Sequence, residues 1–133
     1  MTPPVRVLIV DDVPQVRREL TELLTLAGGM ELVGHAADGA QAVELSRALT
    51  PDVVLLDLGM PVMDGFEAAR RIKASGSGTR IVVLSVHADE VTRREAAQAG
   101  ADVFVVKGSS LDTLLEAIVG RVAGARSAPG GQS

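Results

Sequence analysis

The sequence predicts an α/β domain built on a parallel sheet, and three observations carry that reading. Apolar runs alternate with helical patterns five times, which is the mark of βαβ units. The runs are short, β-branched and flanked by Pro or polar residues, as buried parallel strands are. Several of them also break off at a functional side chain. Val5 to Val10 ends in Asp11-Asp12, Val53 to Leu56 in Asp57, Arg80 to Leu84 in Ser85, and Asp102 to Val106 in Lys107.

The first strand is Val5 to Val10. A helix follows, with Val16, Leu20, Leu23, Leu24 and Ala27 at helical spacing, Pro14 near its start and Gly28-Gly29 past its end. The second strand spans Glu31 to Ala37. The second helix follows the Asp38-Gly39 turn and stops before Pro51. After the third strand, a helix from the N-cap residue Asp64 to Ala74 leads into the loop Ser75-Gly76-Ser77-Gly78.

The fourth helix, Asp89 to Ala99, ends at Gly100, which suits a left-handed cap. Only Val91, Ala96, Ala97 and Ala99 are available for it to pack, so it is expected to be the least firmly anchored helix. The last helix, Ser110 to Ala123, carries a clean stripe of Leu111, Leu114, Leu115, Ile118, Val119 and Val122. Residues 1–123 thus form one domain, and 124–133 read as a flexible tail or linker stub.

Composition narrows the function. With 133 residues, 47% of them hydrophobic, the chain can build one sizeable core. Two phenylalanines are its only aromatics, so that core is aliphatic and Ala-rich. The absence of cysteine removes disulfides, thiolate metal sites and thiol catalysis. No apolar run is long enough to span a membrane, and Met1-Thr2-Pro3-Pro4 does not resemble a signal peptide; a cytoplasmic protein is expected. A net charge of −4 argues against a nucleic-acid surface on this domain.

Right-handed crossovers put helices on both faces of the sheet, giving an open, doubly wound architecture. Parallel neighbours bring their C-terminal ends together, where such sheets bind ligands. Asp11, Asp12 and Asp57 in one cleft repel one another unless a hard cation lies among them, and Mg²⁺ suits one or two carboxylates plus waters. The Ser85 hydroxyl and the Lys107 ammonium at the same edge complete a set suited to handling a phosphoryl group. Asp57 can then act as a nucleophile and form an aspartyl phosphate.

These motifs carry a resemblance. Leu8-Ile9-Val10-Asp11-Asp12, Asp57-Leu58-Gly59-Met60-Pro61 with Met63-Asp64-Gly65, Leu84-Ser85, and Gly100-Ala101-Asp102 through Phe104 to Lys107 resemble the receiver domain of two-component response regulators, from about Val5 to Val122. The resemblance implies a flavodoxin-like (βα)5 sheet with strand order 2-1-3-4-5. It implies that Asp57 is the phosphoacceptor, that Asp12 and the Gly59 carbonyl bind the metal directly, and that Asp11 does so through water. The ion implied is Mg²⁺, with Mn²⁺ as the alternative.

In the same resemblance Lys107 and Ser85 bind the phosphoryl group, and Phe104 is the aromatic whose rotamer follows Ser85. It implies a histidine kinase or phosphotransfer protein as partner. The output face comprises the fourth helix, fifth strand and fifth helix; a homodimer would form through it or through the first and fifth helices. Gly108-Ser109-Ser110 follow the lysine where many receivers have proline, so a trans bond or altered loop is expected there. Both Lys107 to Ser110 and Leu84 to Glu90 look like receivers that precede a LuxR-type helix-turn-helix.

Plainer readings compete at each position. Asp12 suits an N-cap near Pro14, Lys107 a solvated lysine, Ser85 a strand-end polar residue, and Phe104 an ordinary half-buried strand residue. Asp57 makes a poor cap, since Gly59-Met60-Pro61 follow it. Asp38 and Asp64 read as turn and cap residues. His35 reads as structural and His87 as a loop residue near Ser85. A Mg²⁺-dependent phosphohydrolase with an aspartyl nucleophile is the competing function. Such enzymes commonly carry a second acid two residues on, where this chain has Gly59. A nucleotide-binding module needs a Gly-rich first turn, unlike Asp11-Asp12-Val13-Pro14.

Overall fold

Strands that are apolar on both faces need cover on both, and the fold supplies it. The computed structural model describes residues 3–59 and 63–126, with 121–126 described by backbone alone. The elements run β1 (Val5–Val10), α1 (Pro14–Ala27), β2 (Met30–Ala36), α2 (Gly39–Leu49), β3 (Val53–Asp57), α3 (Gly65–Ala74), β4 (Arg80–Ser85), α4 (Glu90–Ala99), β5 (Val103–Val106) and α5 (Leu111–Arg126). All pairings are parallel, in the order β2-β1-β3-β4-β5 expected from the sequence.

Register decides what meets at the C-terminal edge. β1 pairs with β3 from Val7 with Val53 to Val10 with Leu56, so Asp11 and Asp57 leave adjacent strands side by side. The β3–β4 ladder ends with Asp57 opposite Leu84, and the β4–β5 ladder with Ser85 opposite Val106.

Alternation along the strands divides the core in two. Leu8, Val10, Val54, Leu56, Ile81 and Val83 meet α2, α3 and α4 through Ala42, Val43, Ala68, Ala69, Ile72, Ala96 and Ala99. Val7, Ile9, Val53, Leu55, Val82, Leu84 and Val105 meet α1 and α5 through Leu24, Leu114, Ala117 and Ile118. Each fully buried Leu or Ile contributes about 1.5–3 kcal/mol relative to exposure.

Three acidic residues start helices. Asp38, Asp64 and Asp89 accept the backbone N–H of Gln41, Glu67 and Thr92, which satisfies donors the helix leaves open. Gly100 closes α4 at φ 111°. Gly39 serves close approach instead. Its N–H donates to the Met63 carbonyl at 3.1 Å, and a Cβ there would collide with that same carbonyl.

Several expectations need adjusting. β2 begins and ends one residue earlier, at Met30 and Ala36. In α1 only Leu24 is buried, whereas Leu23 is 42% exposed and Ala27 lies at the surface. In α4 only Ala96 and Ala99 are buried and Val91 is exposed, in line with a thinly anchored helix. α5 continues past Ala123 to Arg126. The remainder of the expected tail, residues 127–133, lies outside the described residues, as do Met60 and Pro61.

Candidate acidic phosphoryl site

The polar residues that end β1, β3, β4 and β5 converge. Carboxylate oxygens of Asp11, Asp12 and Asp57 all lie within 4.8 Å of one another. Asp11 and Asp57 are buried and Asp12 is exposed. Lys107 closes the group, its Nζ standing 3.3 Å from Asp11 Oδ2 and 3.4 Å from Asp57 Oδ1. Asp57, Gly59, Ser85 and Lys107 line one open cavity of about 440 Å³, with Phe66, His87 and Glu95 on its walls.

Each carboxylate has a distinct set of partners. Asp11 has a protein partner on each oxygen: Oδ1 accepts the Val13 N–H at 2.9 Å and Oδ2 accepts from Lys107, which leaves lone pairs for water. Its backbone carbonyl accepts from the Arg17 guanidinium at 2.6 Å, which braces the turn after β1. Asp57 Oδ1 accepts the Gly59 N–H at 3.3 Å. Asp12 is free of the capping duty it was eligible for. The cap residue of α1 is Val13, without a side-chain bond, and Pro14 spares the helix one donor.

Burial dominates the electrostatics. It pushes the Asp57 carboxyl above its ordinary pKa, and Asp11 adds to that, while Lys107 and the Gly59 N–H pull the other way. For Lys107, burial favours the neutral amine, but Asp57 and Asp11 outweigh it and raise the pKa. An ammonium among carboxylates stays charged, yet one ammonium does not fully compensate two buried acids. Such a site favours a further cation. Its oxygen-only donors and the accessible carboxylate of Asp12 suit Mg²⁺.

Ser85 is 4% exposed, and its Oγ accepts the His87 N–H at 3.0 Å, which leaves the hydroxyl proton available to donate. Lys107 is held at the edge by its N–H donating to the Ser85 carbonyl at 2.9 Å. The described backbone contains no cis peptide, so the Lys107–Gly108 bond is trans, and Gly108 takes φ 93° after it.

Phe104 is not among the residues that line the cavity. It lies half-buried against the α2–α4 side of the core, with the Arg93 guanidinium 4.7 Å from its ring centroid. Nothing in the polar pattern of α4 marks which of its arginines stacks on a distant strand. His35 is exposed, 3.5 Å from the Thr21 hydroxyl on the α1 side, and is not one of the residues lining the cavity.

Comparison with known proteins shows the family. The response regulator receiver domain family matches residues 7–119. The chain belongs to that family. This receiver is 36% identical over 121 residues to the nitrate/nitrite response regulator protein NarL of Escherichia coli, covering 91% of the chain and 56% of that protein. It is 41% identical to the chemotaxis protein CheY of Bacillus subtilis over 113 residues, 85% of the chain and 93% of that protein.

Among solved structures, the receiver superimposes on the signal receiver domain of NarL from Mycobacterium tuberculosis with a TM-score of 0.87 at 36% identity, covering 92% and 99% of the two chains. It also matches a CheX-CheY-BeF3-Mg complex from Borrelia burgdorferi, with a TM-score of 0.84 at 30% identity and 90% of each chain covered. The receiver spans about half the length of the NarL-type relatives it matches. Among the described residues, no helix is long and apolar enough to cross a membrane.

Proposed function

We propose that this receiver takes a phosphoryl group from a partner histidine kinase, or a phosphotransfer protein, onto Asp57. The observation that carries the reading is the convergence of Asp11, Asp12, Asp57 and Lys107 at one sheet edge, beside a cavity open to solvent. The Asp57 carboxylate attacks phosphorus, and the phosphoryl group leaves the partner's imidazole. The domain is a signalling element that promotes its own modification, rather than an enzyme acting on outside substrates.

The acid cluster fits Mg²⁺. Asp12, Asp57 and the Gly59 carbonyl would hold it directly. Asp11, with both oxygens engaged by Val13 and Lys107, would act through water. Bound there, the ion supplies positive charge to phosphoryl oxygens. Lys107 neutralises a further oxygen, and the Ser85 hydroxyl donates to another by leaving its bond with His87.

That movement biases the output face of α4, β5 and α5. A charge-assisted hydrogen bond of about 1.5–3 kcal/mol shifts a balanced two-state equilibrium by one to two orders of magnitude. Phe104 turns inward as Ser85 moves, and the thinly anchored α4 follows. The repacked face dimerises or recruits a partner. The likeness to NarL and to a LuxR-family regulator of Aurantimonas supports a place ahead of a DNA-binding domain in a longer regulator. Phosphorylation of Asp57 by acetyl phosphate in Mg²⁺, read by intact-protein mass spectrometry, tests the core of this reading.

A further inference from the structure

Ser85 and Phe104, the two ends of the switch, sit in different places: one lines the phosphoryl cavity, the other packs behind it. Arg93, exposed on α4, touches Phe104 at one end and, toward the other, the loop that follows Ser85. Its guanidinium carbon stands 4.7 Å from the Phe104 ring centroid, within cation–π range. Its Nε–H donates to the Ala88 carbonyl at 3.1 Å, in the loop between β4 and α4. That loop follows Ser85, the last residue of β4, whose Oγ accepts the His87 N–H at 3.0 Å.

A path of two hydrogen bonds, the His87–Ala88 peptide bond and a stacking contact therefore leads from the Ser85 hydroxyl to Arg93 and the Phe104 ring. We propose that Arg93 is a latch, a positioning residue that holds the Ser85 loop and the Phe104 ring in their resting places so that they release together. The inference rests on the phosphoryl-switch reading above. Arginine suits the task because its planar fork stacks on a ring while donating within its plane, which a lysine ammonium does not do. Only Ala96 and Ala99 are buried in α4, so few other side chains hold the helix.

Phe66 and Phe104 are the only aromatic residues in the chain, so selective ring labelling yields two resolvable sets of NMR signals. Phe66 lines the cavity and reports on the pocket itself. Wild type, Arg93→Gln and Arg93→Lys are compared before and during titration with beryllofluoride in Mg²⁺, beryllofluoride being a mimic of the acyl phosphate. In Arg93→Gln the Phe104 signals of the free protein are expected to move toward their beryllofluoride positions. Its apparent beryllofluoride affinity is expected to rise about two- to fivefold, with Arg93→Lys in between.

Unchanged Phe104 signals together with unchanged affinity in Arg93→Gln would overturn the latch, and so would a weaker affinity. The underlying reading fails differently. If Phe66 responds to beryllofluoride in wild type and Phe104 does not, the switch itself is absent and the latch falls with it. If Phe104 responds in wild type and Arg93→Gln behaves identically, only the latch is lost.

Discussion

Lys107 Nζ lies 3.3 Å from Asp11 Oδ2, as close as its 3.4 Å approach to Asp57. The ammonium therefore occupies part of the positive charge that three carboxylates call for, and it competes with a metal ion for them. Lys107→Ala is expected to bind Mg²⁺ more tightly than wild type by calorimetry. It is also expected to accept a phosphoryl group about 10²–10³-fold more slowly, as other preorganised sites do when one charge partner is removed. Tighter metal with slower transfer separates the two roles.

Asp12 is exposed, makes no cap for α1, and contributes its carboxylate to the acid cluster. Asp12→Ala is expected to lose Mg²⁺ binding, seen by calorimetry or NMR shifts, since no Trp or Tyr exists to report it by fluorescence. Its stability in chelator stays within about 0.5 kcal/mol of wild type, as for other surface changes. Wild-type metal affinity in that variant would contradict the assignment.

The raised pKa of Asp57 has a signed consequence for stability without metal. The folded protein holds that proton more tightly than the unfolded chain. The group thus favours folding below the unfolded value of about 3.9, and that contribution is lost as pH rises through the folded value. Asp57→Asn removes the buried charge. It is expected to melt higher than wild type at pH 7 in chelator, with the gap closing below about pH 4. Saturating Mg²⁺ narrows the gap from the other side by stabilising wild type. Thermal melts by circular dichroism check both limbs.

Gly39 lets α2 approach the segment after β3, where a Cβ would strike the Met63 carbonyl. Gly39→Ala is expected to destabilise the fold by about 1–3 kcal/mol, the range of other forced insertions into packed structure. Urea unfolding gives the number, and a loss under 0.5 kcal/mol would show that the loop yields freely.

Much of this was legible in the sequence because the sheet edge is encoded one strand at a time. Asp11, Asp57, Ser85 and Lys107 each end an apolar run, and the parallel order β2-β1-β3-β4-β5, which the resemblance supplied, brings them together. The cap residue Asp64 announced its helix in the same local way, whereas Asp89, expected as the first residue of the fourth helix, is its cap. What escaped depends on tertiary distance. That Asp11 shares Lys107 with Asp57, and that Arg93 rather than its neighbour Arg94 stacks on Phe104, follow from side-chain directions that no local pattern records. The exposure of Leu23 escaped for a related reason: α1 meets only one edge of the core, so its stripe is wider than its contact.

The central claim is that Asp57 accepts the phosphoryl group, and mass spectrometry of the intact protein tests it most directly. Wild type incubated with acetyl phosphate and Mg²⁺ is expected to gain one phosphoryl group, to stay unmodified when chelator is present from the start, and to show none in Asp57→Asn. The same adduct forming on Asp57→Asn at the wild-type rate would contradict the account.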